Sequence, residues 1–401
     1  MANLFSIPQF NFSGENALLT SMDQITDFGK KAFIVSDTSM VELGIVEKLT
    51  TALKNHGISY YVYADIDSEP THTMIDHGVE LYRDEECDFL IALGGGSPLD
   101  AMKAIGAVHT NGGSICDYMG KKIEHHLPKM CAVPTTAGTG SEATKISIIT
   151  NTDTDVKMLL NDPKLMVDLT VLDSDFTITV PPEVTAATGI DALTHAVEAY
   201  TSIKAFSMSD LYAYAAVEKI FENLYEVYIH GDNAAARREM SIAAFEAGVA
   251  FSNASVTLIH GMSRPIGALF HIPHGMSNAM LLKTCLNFLK PGAVYKLYLL
   301  SKAIGVYRVG MTREEGADAF VTATIALLRA LKIKTPIDYG VTKDDFFRHI
   351  PKMAADAMAS GSPLNTRRTP SQEDLQELYV KFWYDCEIVH ASGYTDEDLI
   401  I

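Results

Sequence analysis

Short apolar runs alternate with helical periodicity through the first 180 residues. Lys31-Ala-Phe-Ile-Val-Ser36, Tyr60-Tyr-Val-Tyr63, Asp88-Phe-Leu-Ile-Ala-Leu93 and Met130-Cys-Ala-Val133 are rich in aliphatic and aromatic residues and have strand length. Runs of that kind predict buried strands. Between them, Val41 to His56, Met74 to Glu86 and Leu99 to His109 repeat their apolar residues at helical spacing. The alternation predicts a parallel sheet wrapped by helices. Ile146 to Thr150, Met158 to Leu160 and Thr170 to Leu172 would add shorter strands. At Pro181-Pro182 the character changes, and long Ala-, Leu- and Met-rich stretches follow: Ala213 to Tyr225, Ala234 to Phe251 and Ala317 to Leu331. The second half reads as all-helical. Two domains are therefore expected, an α/β domain over residues 1–180 and an all-α domain over residues 181–401. No internal repeat, low-complexity tract or long polar linker separates them, which predicts a tight junction rather than a tether.

Composition narrows the partners. With 47% hydrophobic and 20% charged residues, the 401-residue chain has the balance of an ordinary globular protein with a substantial core. Its formal charge of -18 repels polyanions, so neither nucleic acid nor an anionic membrane is expected as a partner. Cys87, Cys116, Cys131, Cys285 and Cys386 are scattered and form no Cys-x-x-Cys pair, which argues against a disulfide framework and a thiolate metal site. They are expected to be reduced core residues. No run of eighteen uncharged apolar residues occurs, and no basic segment precedes an apolar one at the N-terminus, so the expected location is the cytoplasm.

Two glycine-bearing loops follow predicted strands. Gly94-Gly-Gly-Ser97 joins Phe89-Leu-Ile-Ala-Leu93 to a helix. Its backbone can approach a pyrophosphate closely, with the helix N-terminus offering free amide hydrogens and Ser97 a hydroxyl, as in a Rossmann-like sheet. The spacing is not Gly-x-Gly-x-x-Gly, and a tight turn is the plainer alternative. Pro134-Thr-Thr-Ala-Gly-Thr-Gly-Ser-Glu142 would line the rest of a dinucleotide, or simply cap a helix through Ser141 or Thr139. Asp37 ends the Lys31 to Ser36 strand, where a carboxylate accepts from an adenosine ribose and repels a 2′-phosphate, favouring NAD over NADP; an N-cap aspartate looks the same in sequence. Lys157 would reach polar groups of the cofactor, or stand solvated at the surface.

The densest chemistry lies in the second half. His260-Gly-Met-Ser-Arg-Pro-Ile-Gly-Ala-Leu-Phe-His-Ile-Pro-His-Gly275 packs three imidazoles and an arginine into a short stretch, and Gly189-Ile-Asp-Ala-Leu-Thr-His195 sets a carboxylate and an imidazole four apart, on one helix face. Asp191, His195, His260 and His274 could together hold one divalent cation. Taken singly, each of these is as readily a packed or capping residue.

Together, Gly94-Gly-Gly-Ser97 with Asp100 and Lys103, the Pro134 to Glu142 loop, Gly189 to His195 and His260 to Gly275 resemble the iron-containing, group III alcohol dehydrogenases, in order and over nearly the whole chain. The resemblance implies a Rossmann-like α/β domain followed by an all-α domain, the dehydroquinate synthase-like architecture. It implies Asp191, His195, His260 and His274 as metal ligands for Fe(II) or Zn(II). Gly94, Gly95, Gly96, Ser97, Thr135, Thr136 and Lys157 are implied as cofactor contacts, and Asp37 as the determinant of NAD preference. The implied reaction is hydride transfer between a nicotinamide and a small aldehyde or primary alcohol, with the metal acting as a Lewis acid. A homo-oligomer, a dimer or larger, is expected. Two other readings stay open: a metal-dependent lyase or polyol- or glycerol-phosphate dehydrogenase of the same superfamily, and a metal-binding protein without turnover.

One departure bears on substrate. Many members carry a second histidine four residues after the first of this segment; here that position is Arg264. Arginine cannot relay a proton at neutral pH, but it binds carboxylates and sulfonates bidentately. A small anionic aldehyde such as sulfoacetaldehyde is therefore a possible substrate, with His271 as an alternative proton donor. A structural ion pair of Arg264 across the domain junction is the competing expectation.

Overall fold

The computed structural model describes residues 2–154 and 156–392. The described residues contain eight strands: β1 (Phe10–Ser13), β2 (Lys31–Val35), β3 (Ser59–Tyr63), β4 (Phe89–Gly94), β5 (Met130–Pro134), β6 (Ile146–Asn151), β7 (Val156–Asn161) and β8 (Leu169–Leu172). Six form one parallel sheet in the order β1-β8-β5-β4-β2-β3. Helices α1 (Ala17–Thr26), α2 (Thr38–Glu42), α3 (Ile45–Asn55), α4 (His72–Asp84) and α5 (Gly96–Asn111) accompany it. The inner strands β2, β4, β5 and β8 are buried on both faces, which is why they read as continuous apolar runs rather than alternating ones. Phe33 and Val35 of β2 pack in one layer with Ile75, Leu99 and Ile105, whereas their neighbours Ala32 and Ile34 pack in the other with Met22, Leu49 and Leu53.

Several elements differ from expectation. β6 and β7 form a separate antiparallel hairpin instead of extending the sheet. The single helix expected over Val41 to His56 is two, α2 and α3, because Gly44 between them adopts φ 70°, a left-handed turn that glycine alone enters at little cost. β1, a four-residue edge strand, pairs Phe10 to Ser13 with Leu169 to Leu172 of β8.

Backbone contacts group Ser6–Val180 as one unit and the chain from Pro181 onward as a second, to which the residues up to Phe5 also belong. Phe5 stacks on Tyr212 at 5.7 Å and meets Phe206 edge-on. This second unit contains α6 (Pro182–Thr201), α7 (Ser207–Ile229), α8 (Ala234–Ala254), α9 (Leu258–Phe270), α10 (His274–Ala303), α11 (Arg313–Ala330), α12 (Lys343–Ala359) and α13 (Gln372–Ser392). Among the described residues no single helix is long and apolar enough to cross a membrane. The five cysteines are free, and all but Cys116 are buried.

Candidate functional site

Helix α6 is buried without interruption from Gly189 to Thr201. A helix buried all round has no solvent face for its polar side chains, so each must find a partner inside. Thr194 and Thr201 donate back to the carbonyls of Ile190 and Val197. Asp191, His195 and Glu198 remain. Their spacing of four and three residues aligns them on one face.

Opposite them is the start of α9. The chain turns by 105° between α8 and α9, with Ser255 at φ 71° in the bend. Asn365 holds that bend, its Nδ2 donating to Ser255 Oγ and the Val256 carbonyl, both at 3.1 Å. The first N–H groups of a helix lack intrahelical acceptors. Here Glu198 supplies one, its Oε1 accepting from Ile259 N–H at 2.5 Å and from Thr257 Oγ1 at 2.8 Å. Its Oε2 accepts from His260 Nδ1 at 2.6 Å. One carboxylate therefore caps α9 and orients the imidazole of His260. With Nδ1 holding the proton, Nε2 presents a lone pair, and this faces His195 Nε2 at 2.9 Å and Asp191 Oδ1 at 3.8 Å. His195 is clamped between Phe251 and His260, at ring distances of 4.2 and 4.5 Å.

His274 arrives from the start of α10. Its neighbour Gly275 permits a close approach: a Cβ there would lie 2.6 Å from the Ala187 carbonyl oxygen of α6. His274 Nε2 consequently stands 3.9 Å from Asp191 Oδ1, with its side chain 44% exposed, while Asp191 is sealed. Ligand atoms of Asp191, His195 and His260 all lie within 4.8 Å of one another; His274 adjoins this group on its open side.

The donor set suits a divalent cation. Burial drives His260 well below the usual imidazole range, and desolvation with the neighbouring His260, His195 and Arg264 lowers His274 as well, so both imidazoles are neutral at pH 7. Burial also raises Asp191 and Glu198, a cost that a cation between the donors would relieve. The Asn278 amide nitrogen lies 2.7 Å from Asp191 Oδ1, 3.1 Å from His260 Nε2 and 3.3 Å from His274 Nε2. An amide has two hydrogens for these three acceptors. A metal accepts lone pairs from all of them, and bonds of about 2.0–2.2 Å place neighbouring donors roughly 3–3.5 Å apart, close to the spacing seen. Among the four expected ligands and their surroundings, Glu198 and Asn278 went unread in the sequence. Glu198 carries a signal, seven residues after Asp191 and three after His195 on one helix face. Asn278, four after His274, carries a weaker one.

Arg264 and His271 are placed differently. The Arg264 guanidinium, deep but still reached by solvent, donates to Ser362 Oγ at 3.1 Å. It has no carboxylate within ion-pair distance among the described residues, so the structural ion pair is not present. His271 is exposed at the end of α9 with φ 53°. No hydrogen bond, ion pair or ring contact among the described residues ties it to the cluster.

In the sheet unit, Gly94 closes β4 at φ 154°, where a Cβ would strike Pro98 at 2.6 Å, and Gly95 caps α5 without a side chain. Thr135 donates its N–H to the Gly94 carbonyl at 2.9 Å. Cβ atoms at Gly95 and Gly96 would meet Thr136 and Thr139, so the two glycine-bearing loops lie against each other. Asp37 Oδ1 caps α2 by accepting from Met40 N–H at 3.0 Å, and a Cβ on Gly94 would lie 3.4 Å from its Oδ2. Lys157 lies on β7, the strand that follows β6, exposed and paired with Glu69 at 2.6 Å. Asp100 and Lys103 hold the scaffold. Asp100 accepts from Ser141 Oγ and Ile148 N–H, each at 2.9 Å. Buried Lys103, lowered by burial to about 8, donates to the carbonyls of Ser141, Thr144 and Ile146.

Comparison with known proteins matches both units. Residues 8–174 fit the model of the iron-containing alcohol dehydrogenases, and residues 185–383 that of the C-terminal region of the Fe-containing alcohol dehydrogenase family. The 1,3-propanediol dehydrogenase of Citrobacter freundii is 33% identical over 380 residues, 94% of this chain and 97% of that one. The crystal structure of a 1,3-propanediol oxidoreductase superposes with a TM-score of 0.92 at 31% identity, covering 95% of this chain and 100% of that one. That of sulfoacetaldehyde reductase from Bifidobacterium kashiwanohense, in complex with NAD+, gives a TM-score of 0.85 at 25% identity, over 95% and 99%. With these matches spanning both halves of the sequence, the chain belongs to the iron-containing alcohol dehydrogenase family, and is an oxidoreductase of that family.

Proposed function

We propose that this oxidoreductase is metal-dependent and NAD(H)-linked, and interconverts a small aldehyde with its primary alcohol. The observation that carries the reading is the convergence of Asp191, His195 and His260, with Glu198 fixing the His260 tautomer. When bound, a divalent cation supplies Lewis acidity toward the carbonyl oxygen and a nicotinamide supplies the hydride. Asp191, His195 and His260 hold the cation, and His274 completes the set from its solvent-facing side. Glu198 keeps the proton on His260 Nδ1 and the Nε2 lone pair inward, the usual task of a carboxylate behind a ligating histidine. Three imidazoles with one carboxylate accommodate Fe(II) or Zn(II) alike.

The α5 N-terminus at Gly94, Gly95 and Gly96 offers amide hydrogens to a pyrophosphate, joined by the hydroxyls of Ser97, Thr135 and Thr136. Asp37 serves both expected roles, since Oδ1 caps α2 and Oδ2 is left to accept from a ribose hydroxyl. Lys157 contacts the cofactor only by giving up Glu69. The relatives support the substrate class: one is a 1,3-propanediol dehydrogenase, and another is a sulfoacetaldehyde reductase whose structure holds NAD+.

The test uses protein stripped with a chelator, restored with Fe(II) or Zn(II), and assayed on short aldehydes with NADH and NADPH. Activity is expected only after metal addition, with NADH the better donor. Full activity in the stripped protein, or no turnover with either cofactor and either metal, would overturn the reading.

A further inference from the structure

Arg264 sits one helical turn after His260 on α9, close enough for its charge to act on both His260 and His274. A guanidinium has five N–H donors. Ser362 Oγ takes one, and no described residue supplies another acceptor or a carboxylate within ion-pair distance; Glu198, whose charge acts on Arg264 from farther off, is already committed to Thr257, Ile259 and His260. A cation withdrawn this far from water is expensive unless a counter-charge meets it. The surroundings fix the Ser362 hydroxyl beside it. Gly261 lets Pro363 pack directly on α9, since a Cβ there would lie 2.5 Å from the Pro363 ring. That contact seats the short turn Pro363–Asn365, with Ser362 at its N-cap, against Arg264. The Ser362 hydroxyl accepts from Arg264, and no described acceptor takes its own hydrogen. It can therefore donate to the same incoming group.

We propose that Arg264, supported by the Ser362 hydroxyl, binds the carboxylate or sulfonate end of a short aldehyde whose carbonyl is held at the Asp191–His195–His260 centre. This inference rests on the function proposed above and names its substrate class. An α-helix rises about 6 Å over four residues, so the anion and the carbonyl carbon are separated by a short spacer of roughly one to three carbons. A bidentate guanidinium contact distinguishes such a substrate from a neutral aldehyde of equal length by charge-assisted hydrogen bonds made only to the anion.

The metal-restored enzyme is assayed on two pairs: butanal against succinic semialdehyde, and propanal against sulfoacetaldehyde. For the wild type the anionic member is expected to have the higher kcat/KM. In Arg264→Gln the ratio of anionic to neutral kcat/KM is expected to fall roughly 10- to 100-fold, mainly through KM. Arg264→Lys should fall less. The pair that shows the larger ratio tells carboxylate from sulfonate. A ratio unchanged by either variant overturns the inference, because a purely structural arginine would depress both members of a pair alike.

Binding gives a second readout that needs no turnover. Ethanesulfonate and propionate are titrated calorimetrically into the wild-type protein and into Arg264→Gln, with propanamide as the neutral control. Saturable anion binding that the variant loses supports the inference. Equal binding by the two proteins, or none by the wild type, overturns it even if no aldehyde is reduced. Absence of all aldehyde turnover bears on the proposed function instead.

Discussion

Glu198 shows how one side chain can serve two levels of structure. It reaches from α6 to accept three hydrogen bonds, two at the start of α9 and one from His260. Glu198→Gln keeps its size but removes the charge that opposes proton loss from His260 Nδ1 and stabilises the first turn of α9. Metal affinity, measured by competition with a chromogenic chelator, is expected to fall about 10- to 100-fold; an unchanged affinity would show that Glu198 only caps the helix. Asp191, His195, His260 and His274 were legible as candidate donors only together, since each taken singly is as readily a packed residue and it is the joint pattern that resembles the family's. Glu198 and Asn278 were not, because a glutamate or asparagine acquires such a role only from the group it meets across the fold. Arg264 was legible as a departure from the family pattern, but its lack of an ion-pair partner is a property of its three-dimensional surroundings.

At the scale of elements, the site depends on how closely α6, α9 and α10 approach. Gly275 sets one of these distances, since a Cβ there would lie 2.6 Å from the Ala187 carbonyl oxygen and 3.4 Å from Asp191 Cβ. Gly275→Ala must push the start of α10 away from α6. The expected cost is about 1–3 kcal/mol of stability, seen as a lower Tm, together with weaker metal retention as His274 leaves Asp191. Wild-type values of both would contradict this account. The main strands were readable because strands buried on both faces are continuous apolar runs. β1 was not: four residues, Phe10–Ser13, gain their strand conformation only by pairing with β8, far along the chain. The break between α2 and α3 turns on Gly44, whose left-handed φ is invisible in a pattern of apolar positions.

For the whole molecule, the two proposed ligand sites fall in separate contact units, the Asp191–His195–His260 cluster in one and the glycine loops in the other. A ligand that binds only the folded state adds about 2.7 kcal/mol when present at 100 times its Kd. In scanning calorimetry, metal is expected to raise the melting of the helical unit and NADH that of the sheet unit. If neither ligand shifts any transition, neither proposed site binds. The order of strands and helices, the change of character near Pro181 and the residue types able to hold metal and phosphate were determined by the sequence itself, because burial and backbone freedom act locally on each residue. Tertiary structure alone decided that Glu198 and Asn278 meet the donor set, that Arg264 has no carboxylate within ion-pair distance among the described residues, and that Phe5 packs on Tyr212 rather than with the sheet. Those contacts join positions from 62 to more than 200 residues apart, where no local propensity reaches and only packing brings the groups together.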